Sequence, residues 1–328
     1  MAPPAPIHGD VDPAFSTVRD AFAANFSAGL ELGASLSVSV GGRNVVDLWG
    51  GWLDAARTRP WESDSLVCVF SCTKGVAAVA TMWAVDRGLV NLDAPVTRYW
   101  PEFAAAGKEA LPVRWLLTHE AGLPAIGRRM ALGSLSDWDA MTTALAEQEP
   151  WWEPGTAHGY HGVTFGHLVG QVLRGATGRT CGELVSDELG APLGVDLHMP
   201  LPRWDDARTA DLIVETAPDG TFFDRWDMKT SLGPRAFGNP PDSNDPAHCM
   251  TDAWRRAEIP AANMHSNARG LDRLFSVLAA GGESGGLRIA SPGLVEEFGR
   301  CQVRGVDRVM ELPTAFALGF EHTIPEWP

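Results

Sequence analysis

The residues that most restrict this chain are 76–85, Val76-Ala77-Ala78-Val79-Ala80-Thr81-Met82-Trp83-Ala84-Val85. A helix built from them is apolar on nearly every side, and such a helix belongs in the middle of a domain. Gly88, just past Asp86 and Arg87, is a natural C-terminal cap. Immediately upstream stands Ser71-Cys72-Thr73-Lys74-Gly75. If the helix starts near Ser71, a spacing of three sets the Ser71 hydroxyl and the Lys74 amine on one face, about one turn apart. The positive end of the helix dipole favours a developing oxyanion there, and burial favours the uncharged amine that a general base requires. Both effects point to an activated serine. The alternative is a serine that caps the helix beside a solvated lysine, and the Ser-x-x-Lys spacing alone leaves both readings open.

At 328 residues the chain exceeds one ordinary core, so two lobes or one lobe with a large insertion are expected. A net charge of −15 argues against nucleic acid or an anionic membrane as the main partner, since both would repel it. No run of 18 apolar residues occurs, and residues 1–10 have neither the basic start nor the apolar core of a secretion signal; the chain reads as cytoplasmic. Five scattered cysteines without a Cys-x-x-Cys pair are expected to be free thiols. His119-Glu120 resembles the start of a zinc-protease helix, but the second histidine would fall at position 123, which is Leu; no metal and no cofactor are expected.

Taken in order, residues 13–28 repeat Phe15, Val18, Phe22 and Phe26 at helical spacing and predict an amphipathic helix. Residues 36–40 and 45–51, joined through Gly41-Gly42, predict a β-hairpin with one buried face. Residues 66–70 approach the serine helix as an apolar run. A short helix is expected near 113–121, a longer one over 136–149 opened by a Ser cap, and another over 163–174. Between the last two, Glu153-Pro154-Gly155-Thr156 forces a turn, and Gly159 and Gly162 flank Tyr160 on a loop able to aim a side chain into a cleft. Trp151 and Trp152 lie close by, candidates for an apolar substrate pocket. Residues 196–262 are polar and rich in proline and read as an irregular cover. His265, on the approach to a helix over 271–281, is a candidate for the cleft wall.

Ser71-Cys72-Thr73-Lys74, Leu116-Leu117-Thr118-His119-Glu120-Ala121-Gly122-Leu123, Glu153-Pro154-Gly155-Thr156 and Tyr160-His161-Gly162 stand in the order and spacing of the serine β-lactamase-related hydrolases. The chain resembles the branch similar to class C β-lactamases, and within it the family VIII carboxylesterases. The resemblance implies a β-lactamase/DD-peptidase-like α/β sandwich, formed by residues 1–105 and 260–328, with a mainly helical domain inserted over 106–259. It also implies roles for Ser71 as the acylated nucleophile, Lys74 as its base and Tyr160 as a proton relay. His161, beside the tyrosine, joins Trp151, Trp152 and His265 as an expected substrate contact.

Two departures bear on function. Related β-lactamases and peptidases carry Tyr-x-Asn, whereas position 162 is Gly, which favours simple esters over β-lactams. The family's third element, Lys-Thr-Gly or His-x-Gly on a late strand, has only the near miss Lys229-Thr230-Ser231. A strand is expected over 314–320 and then a turn, so the sequence reading has the C-terminal strands missing and expects weak activity or none from a shortened chain. The expected function is hydrolysis of a small-molecule ester through a Ser71 acyl-enzyme. Acyl transfer and β-lactam hydrolysis are related alternatives, and a non-catalytic scaffold is an alternative of another kind. A second pattern, Gly282-Glu283-Ser284-Gly285-Gly286, matches a nucleophile elbow, with Asp307 and His322 following in hydrolase order. It lacks the strand-before, helix-after context and reads as a glycine turn.

Overall fold

The alternation Leu36-Ser37-Val38-Ser39 sends apolar and polar side chains to opposite faces of one strand, and this organises the sheet. The computed structural model describes residues 5–213, 226–245 and 247–325. Its strands are β1 (Ile7–Val11), β2 (Gly33–Val40), β3 (Arg43–Gly51), β4 (Val67–Cys68), β5 (His265–Ser266), β6 (Glu283–Ser284), β7 (Leu287–Arg288), β8 (Val303–Val306) and β9 (Pro313–Phe316). The helices are α1 (Ser16–Ser27), α2 (Cys72–Asp86), α3 (Arg114–Leu117), α4 (Trp138–Glu147), α5 (Thr164–Thr177), α6 (Cys181–Leu184), α7 (Ala191–Leu193), α8 (Gly233–Gly238), α9 (Asp252–Arg256), α10 (Ala268–Ala279) and α11 (Pro292–Gly299).

β1, β3 and β2 form an antiparallel sheet in that order. Gly41 and Gly42 turn the β2–β3 hairpin with φ of +58° and +77°, a conformation that side chains with a β-carbon resist. On one face, Leu36 and Val38 join Val46, Leu48 and the α1 residues Val18, Phe22 and Phe26 in an apolar cluster. On the other, the Ser37 and Ser39 hydroxyls donate to Asp272 of α10 at 2.9 and 2.7 Å, and Arg269 of α10 pairs with Asp47 of β3. The result is an α/β sandwich with helical insertions, one interface greasy and the other hydrogen-bonded.

The largest core is built on α2, which lies within it as its composition demands, and gathers apolar residues from Cys68 to Leu318. It crosses the division expected at residues 106 and 259, because α4 and α5 supply Leu145, Phe165 and Leu168 to the same cluster. No helix of the described residues is long and apolar enough to cross a membrane.

Three expectations need correction. The C-terminal strands expected to be missing are formed: β8 pairs antiparallel with β9, Val303 opposite Phe316 and Val306 opposite Pro313. β8 offers only two valines around Arg304-Gly305, so period-two alternation is invisible until its partner supplies the ladder. The strand expected over 314–320 stops at Phe316 because Gly319, at φ +86°, turns the chain and donates its N–H to Leu117 O. The cap of α4 is Asp137 rather than Ser136, its carboxylate accepting the Ala140 N–H at 3.0 Å. β1 is an addition to the expected strands, hidden in the sequence because Gly9 and Asp10 interrupt its apolar residues.

Candidate active site

Ser71 is the N-cap residue of α2, yet its side chain makes no capping hydrogen bond. The first amides of the helix are satisfied otherwise: Cys72 N–H donates to Val69 O, Thr73 N–H to Phe70 O and Lys74 N–H to Ser71 O. The Thr73 hydroxyl also donates to Phe70 O. The Ser71 hydroxyl is thereby free for other partners, and among the described residues no hydrogen bond takes up its N–H. Phe70, just upstream, is held at φ +43°, a strained backbone for a residue with a β-carbon. β4 fastens this approach to β5, with Val67 opposite Ser266 and Cys68 opposite His265, and Val69 N–H continues the ladder to Met264 O.

Lys74 is 4% exposed. Its Nζ donates to Gly162 O at 2.8 Å and to Ala261 O at 2.9 Å, and lies 3.1 Å from Ser71 Oγ. The amine is therefore tied on two sides by carbonyls and faces the serine on the third. The Ala261 carbonyl is fixed by a turn that buried Asn263 braces: its Oδ1 accepts Ile259 N–H at 2.9 Å, and its Nδ2 donates to Trp254 O and Ala257 O, each at 2.8 Å.

Tyr160 comes from the loop between α4 and α5. That loop is laced onto residues 119–123: Gly155 N–H donates to Glu120 O, Gly159 N–H to His119 O, and His161 N–H to His119 Nδ1 at 3.1 Å. The Tyr160 hydroxyl donates to Ser71 Oγ at 2.9 Å, and Lys74 Nζ lies 4.8 Å from the centre of its ring. Phe316 of β9 stacks on the phenol with a centroid distance of 6.3 Å and an interplanar angle of 11°. Phe237 of α8 lies 6.3 Å from the same ring on centroids and covers Gly162.

The other expected contacts sit deeper. His161 is fully buried, its Nδ1 donating to Gly159 O at 2.7 Å and its Nε2 accepting Leu123 N–H at 3.0 Å. Both ring nitrogens are thus spent on the backbone, leaving none for a ligand. Burial drives its pKa down to about 3, with the backbone bond to Gly159 opposing and Lys74 adding to the effect. His119, beneath it, is pushed well below the usual histidine value by burial and then by His161 and Lys74. His265 is buried in β5, opposite Cys68, where burial and Arg255 lower its pKa to about 4. Trp152 is nearly covered, in edge contact with His161, while Trp151 donates its Nε1–H to Ala125 O and packs in the small cluster that includes Phe237.

The elbow-like pattern disperses. Ser284 lies in β6, whose hairpin with β7 turns on Gly285 and Gly286 at φ +61° and +83°. His322 Nε2 contacts Gly299 O, and Asp307 lies against Tyr160. Lys229-Thr230-Ser231 occupies a turn outside any strand. The carbonyls of Gly162 and Ala261 carry no signal in the sequence, since every residue has one and only the fold aims it.

The β-lactamase family model matches residues 22–326 of this chain. The esterase/β-lactamase LipL of Mycobacterium tuberculosis is 37% identical over 97% of this chain and 75% of its own length. Among solved structures, a family VIII carboxylesterase superposes with a TM-score of 0.87 at 38% identity, covering 98% of this chain and 84% of that one. A penicillin-binding protein homologue from Caulobacter crescentus superposes at 0.90 with 37% identity and the same coverage.

Proposed function

Because this chain belongs to the β-lactamase family, as a serine hydrolase of its carboxylesterase-related kind, we propose that it cleaves small-molecule carboxylic esters through an acyl-enzyme on Ser71. The observation that carries this reading is the convergence on one oxygen: Tyr160 Oη at 2.9 Å and Lys74 Nζ at 3.1 Å from Ser71 Oγ. With two N–H groups committed to Gly162 O and Ala261 O, the remaining position of the Lys74 amine is the one that takes the hydroxyl proton.

In this mechanism Ser71 Oγ forms a bond to the ester carbonyl carbon as its proton passes to Lys74. The carbonyl oxygen becomes an oxyanion, which the Ser71 N–H, without a partner among the described residues, and the positive end of the 15-residue α2 stabilise. Collapse breaks the bond to the alcohol oxygen. Tyr160 gives that oxygen its proton and regains one from Lys74. Water then attacks the acyl carbon, its proton travelling the same route in reverse, and the acid leaves with Ser71 restored.

An ester rather than a β-lactam is favoured by what stands at position 162. A β-carbon there would lie 2.6 Å from Phe237 Cε1, so an aromatic wall fills the place of the Tyr-x-Asn amide. That wall suits an apolar acyl or alcohol group.

The test is labelling with a fluorophosphonate, located by peptide mass spectrometry. The adduct is expected on Ser71 and is expected to vanish in Ser71→Ala but persist in Ser284→Ala. An adduct on Ser284, or labelling that survives Ser71→Ala, rejects the reading.

A further inference from the structure

The sequence pattern that named Asp307 as part of a different catalytic set left it without a function, yet it is fully buried and heavily engaged. Its Oδ1 accepts N–H bonds from Val309 and Met310, both at 2.8 Å, and from Tyr160 at 3.1 Å. Its Oδ2 accepts Tyr160 N–H at 2.9 Å and faces the Thr314 hydroxyl at 3.4 Å. The bonds from Val309 and Met310 are those of an ordinary turn-capping aspartate. The Tyr160 bonds are not, since they span 147 residues and hold the backbone of the residue whose phenol meets Ser71.

Neighbouring contacts tie the same two segments together. Arg308 N–H donates to His158 O, and Thr314 Oγ1 lies 2.9 Å from His158 Nε2. The turn after β8 rests on Gly159, where a β-carbon would come within 3.1 Å of Val309 Cγ2. Phe316, at the end of the same hairpin, stacks on the phenol. The β8–β9 hairpin therefore grips Tyr160 twice, by its amide and by its ring.

We propose that Asp307 is a positioning residue for Tyr160, fixing the height of the phenol over Ser71 Oγ by anchoring its backbone. This rests on the reading of Tyr160 as the proton relay. Removing the anchor lets the loop between Gly159 and Gly162 drift, and a displacement of about 1 Å at a reacting group costs on the order of a hundredfold in rate. The binding of ground-state ester, which does not depend on the phenol proton, stays as it was.

The experiment is a double-mutant cycle on hydrolysis of p-nitrophenyl butyrate with Asp307→Asn, Tyr160→Phe and their combination. Asp307→Asn keeps the shape but turns one acceptor into a donor facing N–H groups. The expected result is a fall in kcat of about ten- to a hundredfold with KM within about twofold, and no further fall when the change is added to Tyr160→Phe. Multiplicative losses in the double variant, or an unchanged kcat in Asp307→Asn, overturn the proposal. Should Asp307→Asn fail to fold, Thr314→Val, which removes one Asp307 partner, decides: a kcat loss absent from the Tyr160→Phe background supports the inference, and any other pattern rejects it. Full activity of Tyr160→Phe alone would instead reject the relay reading on which this one stands.

Discussion

At the scale of single residues, the site depends on groups that are cramped or tied. Gly162 serves twice, its carbonyl holding Lys74 and its missing side chain admitting Phe237. Gly162→Ala is expected to displace the ring and the carbonyl together, lowering stability by about 1–3 kcal/mol and kcat with it. Adding Phe237→Leu should recover part of the stability in urea melts, because the smaller side chain vacates the space. Lys74→Met is expected to slow acylation by about 10² to 10⁴, read as loss of the burst of released alcohol. It also leaves the carbonyls of Gly162 and Ala261 without their donor, so its unfolding midpoint should fall by an amount equivalent to about 1–3 kcal/mol. A variant that acylates normally would remove the lysine from the mechanism.

Among the elements, α10 illustrates how a local signal acts at a distance. Asn267 caps it, its Oδ1 accepting Gly270 N–H at 2.9 Å, and the helix then presents Arg269 and Asp272 to the polar face of the sheet. Asn267→Ala is expected to cost about 0.5–2 kcal/mol in chemical denaturation, with ester hydrolysis at room temperature nearly unchanged. Elements with strong local grammar are legible in the sequence: the β2–β3 hairpin through its alternation and paired glycines, α1 through its phenylalanines, α2 through its unbroken apolar surface. β1 and β8 are not, because strands this short and this mixed in composition exist only through the partner that pairs with them.

For the whole molecule, the histidines buried without charge set a limit on acid stability. His161 titrates at about 3, and His167 and His265 at about 4, each lowered first of all by burial. The unfolded chain binds these protons near pH 6.5, so below that value it holds more protons than the folded form. Their contribution is complete above pH 6.5 and is lost as pH falls from there through the folded values. At pH 5 each such group removes up to about 2 kcal/mol. The thermal midpoint is expected to fall steeply between pH 6.5 and 4 and to be nearly flat from pH 7 to 8; a flat profile down to pH 4 would contradict neutral burial.

The amino-acid order by itself determined the features that near neighbours settle among themselves: a buried helix, a serine and a lysine one turn apart at its start, and a hairpin with its turn. The glycines around Tyr160 marked it as a side chain a loop can aim, but its role as proton relay entered only through resemblance to a family, because nothing local says that a phenol 89 residues away meets the serine. The tertiary structure decided which backbone carbonyls hold the lysine, that His161 faces inward, and that Asp307 lies under the tyrosine. The physical reason is common to all three. Hydrogen bonds between distant segments depend on positions of a few tenths of an ångström, and those are fixed by how the elements pack rather than by any spacing along the chain.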